Sequence, residues 1–123
     1  MLRVLHVDDD HVNSLLFVEC CRLARGVEVR TAHTAAQALE LVRRWTPELL
    51  VIDLHLPDLD GYQLLQALRK YLEPRPAAYL CTADDALLVE GPARAAGFDG
   101  CWSKPVDLNA VLAVLARRGG AAA

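Results

Sequence analysis

Residues 49–61 (Leu-Leu-Val-Ile-Asp-Leu-His-Leu-Pro-Asp-Leu-Asp-Gly) constrain the fold of this chain more than any other stretch. Four apolar residues run into a single carboxylate, Asp53, and then into a Pro and an Asp-Gly turn signal. A short apolar run bounded by turn residues reads as a fully buried strand of the parallel-sheet type. Asp53 then stands at the carboxyl end of a central strand, where open α/β sheets bind their ligands. A lone acid at that lip is costly unless something cationic sits beside it. The remainder of the chain has to supply that partner.

Read in order, strands alternate with helices five times. Residues 2–7 form a strand ending in Asp8, Asp9 and Asp10. Val12, Leu16, Cys20 and Leu23 recur at helical spacing and predict the inner face of a first helix, stopped at Gly26. Residues 27–32 are a β-branched strand, and Thr34 is the expected cap of a helix facing inward through Ala35, Leu39 and Val42. Residues 48–53 are the third strand. Asp60 then caps a helix carrying Leu64, Leu65, Leu68 and Leu72. Residues 77–82 form a strand ending in Thr82, and a helical stretch starts near Asp84. Proline lacks a donor and clashes with the preceding turn, so Gly91-Pro92 predicts two short helical pieces, with Pro92 opening the second. Residues 99–103 are a fifth strand, Lys104-Pro105 follows, and a last helix carries Leu108, Val111, Leu112 and Leu115. The expected division is one domain over residues 1–118 and a frayed tail over 119–123. The alternation predicts an α/β fold, a doubly wound five-stranded parallel sheet with helices on both faces.

Composition excludes several classes. A net charge of −3 leaves no electrostatic footprint for direct nucleic-acid binding. No apolar stretch is long enough to span a bilayer, and the start reads as a strand, not a signal peptide, so a soluble cytoplasmic protein is expected. The four cysteines lack CxxC spacing and read as small buried hydrophobes. His6, His11 and His33 read as core or surface residues, not ligands, and Asp10 as an acid near a helix dipole.

What gathers at the strand ends is chemically specific. Asp8 and Asp9, Asp53, Thr82 and Lys104 converge on one edge of the sheet. Crowded carboxylates raise one another's pKa, and a bound divalent cation removes that conflict. Oxygen-only ligands and an open site suit Mg²⁺. Lys104 can pair with Asp53 or with a phosphoryl group, and Thr82 can donate to a phosphoryl oxygen. The set suits charge stabilisation on a phosphoryl group passing to Asp53 as nucleophile.

With these motifs assembled, the chain resembles receiver domains of two-component response regulators, of the chemotaxis-receiver kind. The motifs are Val7-Asp8-Asp9-Asp10, Asp53 through Pro57 to Asp60-Gly61, Cys81-Thr82-Ala83 and Ser103-Lys104-Pro105, and they cover the chain in order. The resemblance implies a flavodoxin-like strand order 2-1-3-4-5. It also implies that Asp53 is the phosphoacceptor, loaded by a sensor histidine kinase or a histidine phosphotransfer protein. Asp9, Asp53 and the backbone carbonyl of His55 would ligate Mg²⁺, with Asp8 acting mostly through water. Thr82 would be the switch hydroxyl, and the Lys104-Pro105 peptide would be cis. His55, Ala83 and Asp84 would flank the phosphate, with His55 and Asp84 setting its lifetime. Output would pass to a downstream protein or a fused output domain, and a homodimer is compatible with this reading.

Two departures from the family pattern stand out. The position three before the lysine, usually aromatic, is Cys101, so the bulky rotamer switch is missing. Trp102 beside it reads as core, because neighbouring strand residues face opposite sides. The Gly91-Pro92 break reads equally as an irregular helix or a reshaped partner surface. Competing functions are weaker. A phosphohydrolase passing through an aspartyl phosphate usually has an acid two residues after the nucleophile, where this chain has His55. A pseudo-receiver would not keep all five site residues, and a flavin site would need a phosphate-cradling loop.

Overall fold

The computed structural model describes residues 1–118, running β1 (Leu2–Val7), α1 (His11–Arg22), β2 (Val27–Ala32), α2 (Ala35–Leu41), β3 (Leu49–Asp53), α3 (Gly61–Arg69), β4 (Ala77–Thr82), α4 (Ala86–Ala96), β5 (Gly100–Ser103) and α5 (Leu108–Arg117). The expected tail, residues 119–123, lies outside the described residues. The five strands form one parallel sheet in the order β2-β1-β3-β4-β5. This is the doubly wound, flavodoxin-like arrangement expected. No described helix is long and apolar enough to cross a membrane.

The strands' twofold alternation divides the core. Leu5, Val7, Leu50, Ile52 and Leu80 face α2, α3 and α4. Val4, Leu49, Val51, Tyr79 and Cys81 face α1 and α5. β3 is buried along its whole length, which accounts for its unbroken apolar run.

Local chemistry sets where the helices begin. Asp10 caps α1, its Oδ1 accepting from the Val12 and Asn13 amides at 2.9 and 3.2 Å. Thr34 accepts from the Gln37 amide at 3.0 Å. Asp60 and Gln63 form a reciprocal capping box at 2.8 and 3.1 Å. Gly97, at φ +103°, closes α4 in a conformation that favours glycine.

Two expectations are corrected. α4 is one continuous helix with Pro92 inside it, not two pieces. Val89 and Ala93 are buried on its inner side, while Gly91 and Pro92 lie on the solvent side. Burial of the inner side therefore outweighs the one helical hydrogen bond that Pro92 cannot make. The inner face of α1 also differs from the spacing read above. Ser14, Phe17 and Cys21 are buried, whereas Val12, Leu16 and Leu23 are exposed and Cys20 is only partly buried.

Candidate functional site

Parallel pairing brings the strand-end residues together. Val7 stands opposite Ile52 in the β1–β3 register, so the next residues, Asp8 and Asp53, emerge side by side. Asp53 pairs with Cys81 and Thr82 with Ser103, which sets Thr82 and Lys104 on the other flank. The Lys104 amide donates to the Thr82 carbonyl at 2.8 Å, and the Lys104–Pro105 peptide is cis.

Lys104 supplies the cationic partner Asp53 requires. Its Nζ lies 3.0 Å from Asp8 Oδ2 and 3.2 Å from Asp53 Oδ2. Both carboxylates are buried, while Asp9 is exposed. Asp8, Asp9 and Asp53 each present an oxygen, all within 4.8 Å of one another. Asp8 also accepts from the Asp10 amide at 2.9 Å, and Asp53 Oδ1 from the His55 amide at 3.4 Å. Gly61 packs so closely against this strand end that a Cβ there would sit 2.7 Å from the Asp53 carbonyl oxygen.

The electrostatics of the pair are unequal. Burial raises the Asp53 pKa, Lys104 opposes that shift and Asp8 adds to it. Burial pulls Lys104 down, but its bonds and attraction to Asp8 and Asp53 outweigh this and leave its pKa raised. Burial is the larger influence on Asp53, and the one ammonium, shared between two carboxylates, offsets it only in part. Negative charge is left over in a buried place. An oxygen-only donor set with excess negative charge fits a hard divalent cation.

Thr82 is fully buried, and its Oγ1 accepts from the Asp84 amide at 3.0 Å. His55 Nε2 lies 2.8 Å from Asp84 Oδ2, joining the β3–α3 and β4–α4 loops. Ala83 is exposed beside them. Cys101 is partly buried against the α2–α4 side, as is Tyr62. Trp102 packs on the opposite face, stacked on Tyr79 at 4.8 Å. It faces the side expected of it but is only partly buried, packed against the core and not within it. All four thiols are free and burial pushes each up, Cys21 to about 12; Cys21 and Cys81 are the buried hydrophobes expected, while Cys20 and Cys101 are only partly buried.

Sequence reasoning missed Asp58. Its two carboxylate oxygens accept from the Ala35 and Ala36 amides, each at 2.9 Å, tying the β3–α3 loop to the start of α2. Nothing in the local spacing signals that contact. His33, expected only as a core or surface residue, places its Nδ1 3.0 Å from the Asp8 carbonyl oxygen and stacks its ring on His11 at 3.9 Å.

Known proteins bear on this geometry. The sequence pattern of the response regulator receiver domain matches residues 4–116. The autoinducer 2 sensor kinase/phosphatase LuxQ of Vibrio harveyi is 32% identical over 110 residues, covering 89% of this chain and 13% of LuxQ. The transcriptional regulatory protein TrcR of Mycobacterium tuberculosis is 32% identical over 114 residues, 93% of this chain and 44% of TrcR. The chain thus spans less than half the length of either relative. Among solved structures, a Burkholderia pseudomallei response regulator with a phosphorylated aspartic acid, calcium ion and citrate is similar, with TM-score 0.81 and 27% identity. The match covers 94% of this chain and 66% of that one. Strand order, strand-end acids and sequence pattern agree: the chain belongs to the receiver-domain family of two-component response regulators.

Proposed function

We propose that Asp53 is the phosphoacceptor of this receiver and that Asp8, Asp9, Thr82 and Lys104 are the groups that make its phosphorylation feasible. The observation carrying this reading is the Lys104 ammonium held between Asp53 and Asp8 beside the three-carboxylate cluster. An Asp53 oxygen attacks the phosphorus of a phosphohistidine on a sensor kinase or phosphotransfer protein. The P–O bond forms, the P–N bond breaks, and the departing imidazole keeps the electron pair and takes up a proton. Lys104 favours the ionised form of Asp53 before transfer and faces the phosphoryl oxygens after it. Thr82 is placed at the strand end to donate its hydroxyl to one of those oxygens.

Asp8, Asp9, Asp53 and the His55 backbone carbonyl are the groups that would hold Mg²⁺, which when bound offsets the charge of the carboxylates and of the incoming phosphoryl group. His55 and Asp84, bonded to each other, form one unit at the mouth of the site and set how long the acyl phosphate survives. The chain transforms only its own aspartate and turns over no separate substrate. Its output passes to a downstream protein or a fused domain.

The test is incubation with Mg²⁺ and acetyl phosphate, read by intact mass. Wild type gains one phosphoryl group, and Asp53→Asn gains none. An equal gain in the variant, or none in wild type, removes Asp53 from the role.

A further inference from the structure

β2 is an edge of the sheet, and among the described residues it pairs only with β1. An edge strand offers a row of unpaired amides and carbonyls to any second strand, and natural edges are blunted by shortness, proline, bulges or charged side chains. β5, the opposite edge, has four residues and leads into Lys104-Pro105. β2 has six, with no proline and no break in its register against β1. Its defence is charge alone, and that charge is one acid and one base, Glu28 and Arg30.

Register decides which backbone groups are free. The Leu2 amide donates to the Gly26 carbonyl at 2.7 Å, and the Asp8 amide to the Ala32 carbonyl at 3.0 Å. Alternate residues of a strand turn their backbone groups to the same neighbour, so Glu28 and Arg30, in phase with Gly26 and Ala32, face β1. Val27, Val29 and Thr31 then turn their amides and carbonyls outward. A second β2 running antiparallel about a twofold axis at Val29 satisfies all three. Val29 exchanges both bonds with the second copy's Val29, and Val27 with the second copy's Thr31. Glu28 falls opposite the second copy's Arg30, at the non-hydrogen-bonded positions where side chains approach most closely. Arg30 already lies 4.7 Å from the centre of the Trp45 ring, which holds its guanidinium beside the strand. Glu28 and Arg30 bond one another at 3.2 Å yet keep 39% and 49% exposure, so each can take a second partner. On the other face Val27 and Val29 are partly buried against the core, and β-branched pairs across strands add to sheet stability.

We propose that β2 is a docking edge for a second copy of this chain, joined antiparallel about Val29 with Glu28 and Arg30 paired crosswise between the copies. The occupant follows from the charges. Val-Glu-Val-Arg-Thr complements itself when reversed, whereas parallel pairing in register would set like charges side by side. The result is a closed twofold interface, the same patch on both copies. β1 lies between this edge and Asp53 on β3, so the pairing goes beyond the phosphoacceptor reading and does not rest on it.

Sedimentation equilibrium of the folded chain at low ionic strength, without Mg²⁺ or any phosphoryl donor, reads the association. Wild type is expected to dimerise with a dissociation constant of about 1 mM or tighter. Arg30→Glu sets acid against acid and Glu28→Arg base against base, and the twofold axis counts each change twice, so each variant alone should bind itself at least about tenfold more weakly. An equimolar mixture of the two restores association, because each supplies the charge the other lacks. Both substitutions in one chain, with net charge unchanged, restore it as well. Amide hydrogen exchange gives the location: Val27, Val29 and Thr31 gain protection as wild-type concentration rises. No dimer up to about 1 mM, a dimer indifferent to both reversals, a folded mixture that stays monomeric, or Val27, Val29 and Thr31 amides that exchange equally fast at every concentration would each overturn the proposal. A dimer built on a helical face would give the second of these. Should a single reversal fail to fold, the double exchange and the wild-type amides still decide. No phosphoryl transfer enters these measurements, so their failure and that of the acetyl phosphate experiment are separate results.

Discussion

Leu50, Ile52, Leu64, Leu65, Leu68 and Leu80 meet on the side of the sheet covered by α2, α3 and α4, and none is accessible to solvent. On the other side α1 and α5 cover Val4, Leu49 and Val51 with Phe17, Cys21, Val111 and Leu115, and they leave a cavity with a histidine in its wall. The same strands feed both sides by alternation, so the strands do not cause the difference. Three helices with small residues at their contacts, such as Ala35, Ala38 and Ala93, close over a sheet more completely than two. The carboxylate cluster sits at the seam: the loops after β3 and β4 lead into the sealed side, and Lys104-Pro105-Val106 leads into the open one.

The largest expected effect sharpens that contrast directly. Leu65→Ala, on the sealed side, should cost about 2–5 kcal/mol, because a close-packed core relaxes little around a deleted side chain. Leu16→Ala, at the open rim, should change stability by less than about 0.5 kcal/mol. Urea denaturation with an unchanged m-value measures both. Comparable losses at the two positions would erase the distinction between the sides.

The same contrast decides what could be read from the chain. In α3 the apolar residues Leu64, Leu65 and Leu68 are set off by Gln63, Gln66 and Lys70, so the period picks one face, and that face is buried. In α1, Leu15, Leu16, Phe17, Val18, Cys20, Cys21 and Leu23 run almost all the way round, and periodicity cannot choose among them. Which face turned inward depended on how α1 meets the sheet and α5, a tertiary matter. The carboxylates and the lysine were legible because each ends an apolar strand, and parallel register then brings strand ends together. Asp58 was not, since its contact with α2 joins residues 22 and 23 positions apart. Pro92 misled for the opposite reason: a sound local rule yielded to the burial of Val89 and Ala93 around it.

Filling space should be costly on one side and harmless on the other. Ala38→Leu adds volume where no room exists and should cost about 1–3 kcal/mol. Cys20→Leu points added volume at the cavity and should fall within about 0.5 kcal/mol of wild type. Thermal melts of the pair decide, and a penalty at Cys20 matching that at Ala38 would mean that the cleft between α1 and α5 is not available space.

Asp58 fastens the sealed side to the site loop. Removing its two bonds to α2 in Asp58→Ala should cost about 1 kcal/mol, as for loss of a helix cap. The contribution should also depend on pH. Its slight burial acts upward, but the Ala35, Ala36 and Leu59 amides and its own outweigh that and lower the Asp58 pKa. A carboxylate depressed in the folded state contributes stability above its ordinary value, about 3.9, and loses it as pH falls through the lower folded value. Denaturation curves should therefore show a gap between wild type and variant at pH 6 that closes in acid. A gap independent of pH would mean that the carboxylate charge is not what holds α2.

The smallest effect concerns His55 and Asp84, which join two loops on the sealed side of the seam. Both side chains are largely exposed, so their 2.8 Å contact should add less than about 0.5 kcal/mol to stability. Their proposed effect lies in the lifetime of the acyl phosphate. If the pair covers the approach to Asp53, His55→Ala and Asp84→Ala should each speed dephosphorylation roughly fivefold, near 1 kcal/mol in barrier. The double variant should be no faster than either single one, because the second substitution breaks a contact already lost. Independent, multiplying effects would mean that each residue acts on the phosphate alone. Decay as slow as wild type in both single variants would leave the bridge as surface decoration, and control of lifetime would have to come from the Lys104 side of the seam.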